Sequence, residues 1–207
     1  MRFLVVAGVL ISLVSSVPAP LHAQAPATRK AVRTPPKPQT RTVNERVKVD
    51  PTSIQVDDGD SIVIRWPDGD EETVRILGID TPETRHVEHN IPVDQPFGQE
   101  ARAFAQGAFA TATEVELLRF KSLDPYGRTL GYLFVNGKNY SILVVKARLA
   151  AESVSTYGDN GFPEIATEVV AAAKAAGPLP FENPGAYRGR MRSLSEWMKT
   201  RGDTPIK

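Results

Sequence analysis

Three short stretches hold the residues whose types and spacing could do chemistry. Asp57-Asp58-Gly59-Asp60 places three carboxylates in one turn. Arg75-Ile76-Leu77-Gly78-Ile79-Asp80-Thr81-Pro82-Glu83-Thr84 carries an arginine and two further carboxylates. Asp124-Pro125-Tyr126-Gly127-Arg128 is a turn that delivers an arginine at the start of a strand. There is no cysteine, and His22, His86 and His89 are the only histidines. Disulfides, thiolate metal sites and cysteine nucleophiles are therefore excluded. Oxygen ligands without nitrogen or sulfur suit a hard cation, Ca²⁺ or Mg²⁺. Guanidinium groups beside such a cation suit phosphate, whose oxygens they bind in a planar fork. A further carboxylate can orient or deprotonate water. The reaction class that joins these parts is hydrolysis of a phosphate ester.

Each stretch also has a plainer reading. Acidic turns with glycine are common, a strand arginine usually faces solvent, and Asp80-Thr81-Pro82-Glu83 alone could cap a helix. His86 and His89, in a loop without other soft ligands, read as solvated side chains rather than a metal pair. Within a strand, residues of like parity share a face. Arg75 and Asp80 differ in parity, so a bend near Gly78 is required if both serve one site.

The elements that must position these residues follow from periodicity. Thr52–Val56, Ser61–Trp66, Glu72–Leu77, Glu114–Phe120 and Arg128–Val135 are β-branched or alternating and predict five strands. Asp57 to Asp60 and Pro67 to Asp70 supply turns between the first three. Phe97–Thr113 is alanine-rich with one apolar face, and Tyr140–Leu149 and Glu164–Ala176 are two further helices. Pro163 suits the first position of the last of these. The expected fold class is α+β, a five-stranded OB-type barrel flanked by about three helices, with a disordered N-terminal tether. Residues 178–207 read as an irregular extension, with a short helix opened by Ser193 and Glu196.

The chain of 207 residues is 41% hydrophobic and 24% charged, which excludes a wholly disordered protein. Its 25 basic and 24 acidic residues nearly cancel. The balance hides an asymmetry. Residues 24–48 hold seven basic side chains against Glu45, and residues 49–207 hold 17 basic against 23 acidic. Met1-Arg2 precedes a 15-residue apolar run, Phe3–Val17, which Pro18 and Pro20 end. That run is short of the about 20 apolar residues a spanning helix needs. With Leu21-His22-Ala23 as a cleavage site, residues 1–23 have the layout of a signal peptide. The expectation is a secreted or periplasmic protein with no stable membrane insertion after cleavage. Residues 24–46 are proline-rich and basic without apolar periodicity, and read as a disordered linker or spacer. The folded domain is expected over 47–177.

Within that span the motifs resemble a known family. Asp58-Gly59-Asp60-Ser61, the Arg75–Thr84 stretch, Phe97-Gly98 with Glu100-Ala101, and Tyr126-Gly127-Arg128 with Leu130-Gly131-Tyr132 are similar, in order and spacing, to the staphylococcal-nuclease-like (thermonuclease) domain. The resemblance covers residues 50 to 176. It implies an OB barrel and Ca²⁺-dependent endonucleolytic cleavage of DNA and RNA that leaves 3′-phosphates. It also implies roles. Asp60 and Asp80 would ligate Ca²⁺ by carboxylate and Thr81 by its carbonyl, with Asp58 shaping the metal shell through water. Glu83 would position or deprotonate water, Arg75 and Arg128 would grip the scissile phosphate, and Tyr126 and Tyr157 would contact the nucleotide. Pro125 stands where the family's founding member has lysine, and Gly177-Pro178-Leu179-Pro180-Phe181 replaces the family's Gly-Leu-Trp. DNA and RNA are the expected partners, and no obligate protein partner is inferred. The alternative is a non-catalytic nucleic-acid- or protein-binding module on the same fold, since OB barrels bind single strands without cutting them. Such a module has no need of Asp60, Arg75, Asp80, Glu83 and Arg128 together.

Overall fold

The β-branched runs form strands in the computed structural model, which describes residues 37–203. The expected export segment 1–23, and the linker as far as Pro36, lie outside the described residues. The strands are β1 (Arg46–Val49), β2 (Ile54–Val56), β3 (Ser61–Arg65), β4 (Glu71–Ile76), β5 (Ile79–Asp80), β6 (Val115–Leu123), β7 (Thr129–Val135), β8 (Lys138–Asn139) and β9 (Ala151–Glu152). The helices are α1 (Gly98–Ala110), α2 (Tyr140–Lys146), α3 (Val154–Tyr157), α4 (Pro163–Ala176) and α5 (Pro184–Thr200). The main sheet runs β1-β6-β7-β4-β3-β2, with β8 on β7, and curls into a half-barrel of OB-like form. The β4–β7 pairing is parallel and the others in this sheet are antiparallel. That parallel register, Arg75 beside Leu130, brings the end of β4, which carries Arg75, beside the start of β7, which Arg128 precedes.

The alternation of β3 and β4 buries Ile62, Ile64, Val74 and Ile76 against Leu117, Leu133 and Tyr140. Burial of each aliphatic side chain stabilises by roughly 1.5–3 kcal/mol relative to exposure. Helix α1 buries Ala101, Ala105 and Phe109, spaced four apart, so one narrow stripe faces inward. No helix among the described residues is long and apolar enough to cross a membrane.

Three differences from the sequence expectation have physical causes. Residues 46–49 add a strand, because their alternate side chains pair with β6 in register Val49 to Val115. The preceding segment is also held at the same sheet edge. The Gln39 N–H donates to the Lys121 carbonyl at 2.9 Å, and the Leu123 N–H to the Lys37 carbonyl at 2.9 Å. Finally, the C-terminal segment is helical from Pro184, not from Ser193. The Asn183 side chain accepts from the Ala186 N–H at 3.1 Å, and Pro184 occupies the first turn. Together they make an N-cap and an N1 proline. Among the described residues the α-helices therefore number five, against about three expected.

Candidate active site

The site is built around the bend between β4 and β5. Gly78 has φ +81°, a conformation that glycine adopts without strain, and a Cβ there would crowd the Tyr132 ring at 3.1 Å. The bend reverses the parity mismatch. Arg75, on β4, donates from Nη2 to Asp80 Oδ1 at 2.8 Å. Its Nη1 forms an ion pair with Asp60 Oδ1. One guanidinium thus bridges two carboxylates, one from the turn before β3 and one from β5. Asp60 is fixed further by the Thr81 N–H, which donates to its Oδ2 at 2.8 Å. Its own N–H donates to Asp58 Oδ1 at 2.9 Å, which ties Asp58 into the turn.

Glu83 is positioned through its backbone. Its N–H donates to Gln95 Oε1 at 3.1 Å, and the Gln95 N–H returns to the Glu83 carbonyl at 2.8 Å. Gln95 is only 2% exposed, and its Nε2 donates to the Glu182 carbonyl just before α5. At Gly98, the first residue of α1, a Cβ would collide with the Glu83 carbonyl oxygen. Only glycine permits that close approach. Arg128 leaves its turn tied to Asp124, with Nε donating to Oδ2 at 2.7 Å, and its Nη1 reaches Ser61 Oγ at 3.4 Å.

Asp60, Arg75, Glu83 and Arg128 line one cleft of about 1210 Å³. Tyr126 and Tyr157 line it too, 81% and 66% exposed. His86 and His89 border the cleft with rings stacked at 5.6 Å. Among the described residues, no group of three or more histidine, aspartate or glutamate side chains forms a metal cluster. A cation here would rest on Asp60 and Asp80, supplemented by backbone oxygen and water. That all-oxygen, doubly anionic donor set suits Ca²⁺, which accepts carbonyl and water ligands, better than Zn²⁺. Thr81 is buried beside Asp60, within reach of the same turn.

Burial pushes the Glu83 carboxyl above its ordinary range, and the Arg188 hydrogen bond and charge only partly offset it. Burial likewise raises Asp58, against the opposing charge of Arg75. A carboxylate raised in this way is a better proton acceptor.

Arg188, on α5, is a residue the sequence reading did not single out. Its Nη2 donates to Asp80 Oδ2 at 2.9 Å, its Nη1 donates to Asp80 Oδ1 at 3.1 Å, and Nη1 also pairs with Glu83 Oε1. Burial lowers the guanidinium's affinity for its proton, but the hydrogen bonds and charge of Asp80, then Glu83, outweigh it and hold the group above its ordinary value. The signal that could have found α5 is Asn183-Pro184 followed by Tyr187, Met191 and Leu194 at helical spacing. Gln95 carried no comparable signal.

Residues 73–177 match the family model described as staphylococcal nuclease homologue. Over 97 residues the chain is 40% identical to the thermonuclease of Staphylococcus intermedius, covering 46% of this chain and 55% of that protein. Over 98 residues it is 40% identical to the thermonuclease of Staphylococcus hyicus, covering 47% and 55%. It is also 32% identical over 108 residues to endonuclease YncB of Bacillus subtilis (strain 168), covering 52% and 49%. The chain thus spans about half the length of each of these relatives. The family match includes Arg75, Asp80, Glu83 and Arg128 and stops before α5. With the OB-like sheet and the bend that joins Arg75 to Asp80, it establishes that the chain belongs to the staphylococcal nuclease homologue family.

Proposed function

We propose that the protein is an exported, Ca²⁺-dependent endonuclease that hydrolyses phosphodiester bonds of DNA and RNA and leaves 3′-phosphates. The observation that carries this reading is the Arg75 guanidinium bridging Asp60 and Asp80 beside a half-buried Glu83. Asp60, Asp80 and the Thr81 carbonyl would hold Ca²⁺, with Asp58 shaping the shell through water. When bound, the ion supplies Lewis acidity toward the phosphate oxygens. Arg75 and Arg128 bind those oxygens and stabilise the charge that accumulates on them. Glu83 takes a proton from the attacking water. The water oxygen forms the new bond to phosphorus, the bond from phosphorus to the 5′ oxygen breaks, and that oxygen leaves as a hydroxyl after taking a proton from solvent water. Tyr126 and Tyr157 offer exposed rings for a nucleotide.

The test is cleavage of DNA and RNA with Ca²⁺ or with excess chelator. Cleavage in Ca²⁺ and none in chelator is expected; full cleavage in chelator would refute the metal dependence. Glu83→Gln should still bind a short oligonucleotide while single-turnover cleavage falls about 10²–10⁴-fold, the usual worth of a general base. Cleavage at the parent rate would remove Glu83 from the reaction, and a parent that binds but never cuts would make the chain a binding module. Export predicts a mature protein outside the cytoplasm that begins at Gln24; retention of Met1 there would refute cleavage.

A further inference from the structure

Helix α5 is docked on the domain by contacts besides those of Arg188. Tyr187 and Met191 bury against Ile91, and the Tyr187 hydroxyl donates to the Val93 carbonyl at 2.9 Å. Ser195 Oγ and Lys199 Nζ donate to Asn90 Oδ1 at 3.2 and 2.7 Å. Arg188 is thus carried to the cleft by a helix already anchored. It lies against the two side chains proposed for cation binding and proton transfer. Asp80 is covered on both oxygens: Oδ1 accepts from Arg75 and Arg188, and Oδ2 from Arg188. The proposed ligand Asp80 is therefore already neutralised by a positive group that belongs to the chain.

A divalent ion bound to Asp80 needs oxygen lone pairs that Arg188 occupies, and it brings a like charge close to the guanidinium. The two cannot both be held at full strength. We propose that Arg188 is a tethered cation that competes with the divalent ion for Asp80, so that loading the ion releases Arg188 from that carboxylate. This rests on the reading of Asp60 and Asp80 as the cation site. Arg75 also touches Asp80, but it spans to Asp60 and uses only Oδ1, so it leaves Oδ2 to Arg188. Once released, the Arg188 fork faces the cleft that holds Arg75 and Arg128. The residue thereby sets the cation concentration at which the site fills.

The experiment measures Ca²⁺ binding by calorimetry, without nucleic acid, on the parent, Arg188→Met, Arg192→Met and Asp80→Asn. Arg192 lies one turn from Arg188, lines the same cleft and has no ion pair among the described residues. Arg188→Met should bind Ca²⁺ about tenfold or more tightly than the parent, the modest end of what a charged hydrogen-bonded contact is worth. Arg192→Met should change affinity far less, and Asp80→Asn should weaken it. Equal or weaker binding by Arg188→Met would overturn the competition while leaving the cation site intact. Equal tightening by both arginine variants would overturn it too, in favour of a general field effect. No site-specific binding by the parent or by Arg188→Met would instead refute the cation site itself. Should Arg188→Met fail to fold, nitrogen-15 NMR of the arginine side chains in the parent decides. The Arg188 resonances should change on Ca²⁺ titration, and unchanged resonances at saturation would overturn the proposal.

Discussion

Arg75 touches Asp60 and Asp80 with separate nitrogens of one planar group. A lysine ammonium is a single point charge and cannot span both carboxylates in that geometry. Arg75→Lys should therefore keep the fold but lower kcat by about 100-fold or more, close to 2.7 kcal/mol of lost transition-state stabilisation. Steady-state cleavage of a defined oligonucleotide checks this, and near-parent turnover would reduce Arg75 to a structural charge. At this scale the sequence was legible where partners lie close along the chain. Gly78, between Arg75 and Asp80, marked the bend that the structure contains. It was illegible where a partner comes from afar. Arg188 reaches Asp80 across 108 positions, and Gln95 reaches Glu182 across 87. No local spacing announces pairings of that kind, because they depend on how the C-terminal segment returns to the barrel.

Strand alternation explains one costly feature of the sheet. Glu72 shares the inner face of β4 with Val74 and Ile76, which would be untenable for an unpaired charge. Arg119 on β6 answers it: Nε and Nη2 donate to the two Glu72 oxygens at 2.8 Å each. Both side chains are 3% exposed. Thr129 and Trp66 complete the carboxylate's hydrogen bonds at 2.7 and 2.9 Å, and Arg119 Nη1 reaches the Thr42 carbonyl at 3.3 Å. The pair thus joins β4, β6 and β7 to the segment before β1, where the sequence promised only a disordered linker. Glu72→Gln leaves a buried guanidinium without its counter-charge and should destabilise by about 3–5 kcal/mol. Burial works to raise the Glu72 carboxyl, but the hydrogen bonds from Arg119 and Thr129 outweigh it and hold it below its ordinary value. The unfolded chain therefore binds this proton more readily than the native one. The contribution is full above the unfolded value of about 4.3 and is lost as pH falls through the lower native value. Denaturant unfolding at neutral and acid pH should show the gap between parent and Glu72→Gln narrowing in acid. A gap that does not narrow would exclude Glu72 from the acid response.

Over the whole molecule, positive charge is concentrated in two places, and only one was visible in the sequence as a feature. The basic run at 24–48 stands out by composition. The second concentration comprises Arg188, Arg190, Arg192 and Lys199 on α5 and Arg201 at its end, opposed within the helix by Glu196. It was hidden because residues 177–192 showed no periodicity that was recognised as a helix, so the arginines had no face to share. The remainder of the folded domain is rich in acid and would repel a polyanion. On the proposed function, a nucleic-acid strand approaching the cleft would therefore meet an attraction from α5, whose Arg188 and Arg192 line the cavity together with Arg75 and Arg128. Replacing Arg192 and Arg201 together by glutamine should raise KM for long DNA more than it lowers kcat. It should also flatten the dependence of log KM on log salt, with the slope falling by about one for each phosphate that the variant no longer neutralises. The measurement is KM for the same DNA across about 50–200 mM salt, the range over which counterion release changes affinity steeply. The difference between variant and parent should be largest at the low end and shrink as salt screens the helix. An unchanged KM at the lowest salt would mean that α5 serves the site through Arg188 alone, and that the field drawing nucleic acid to the cleft comes from elsewhere in the chain.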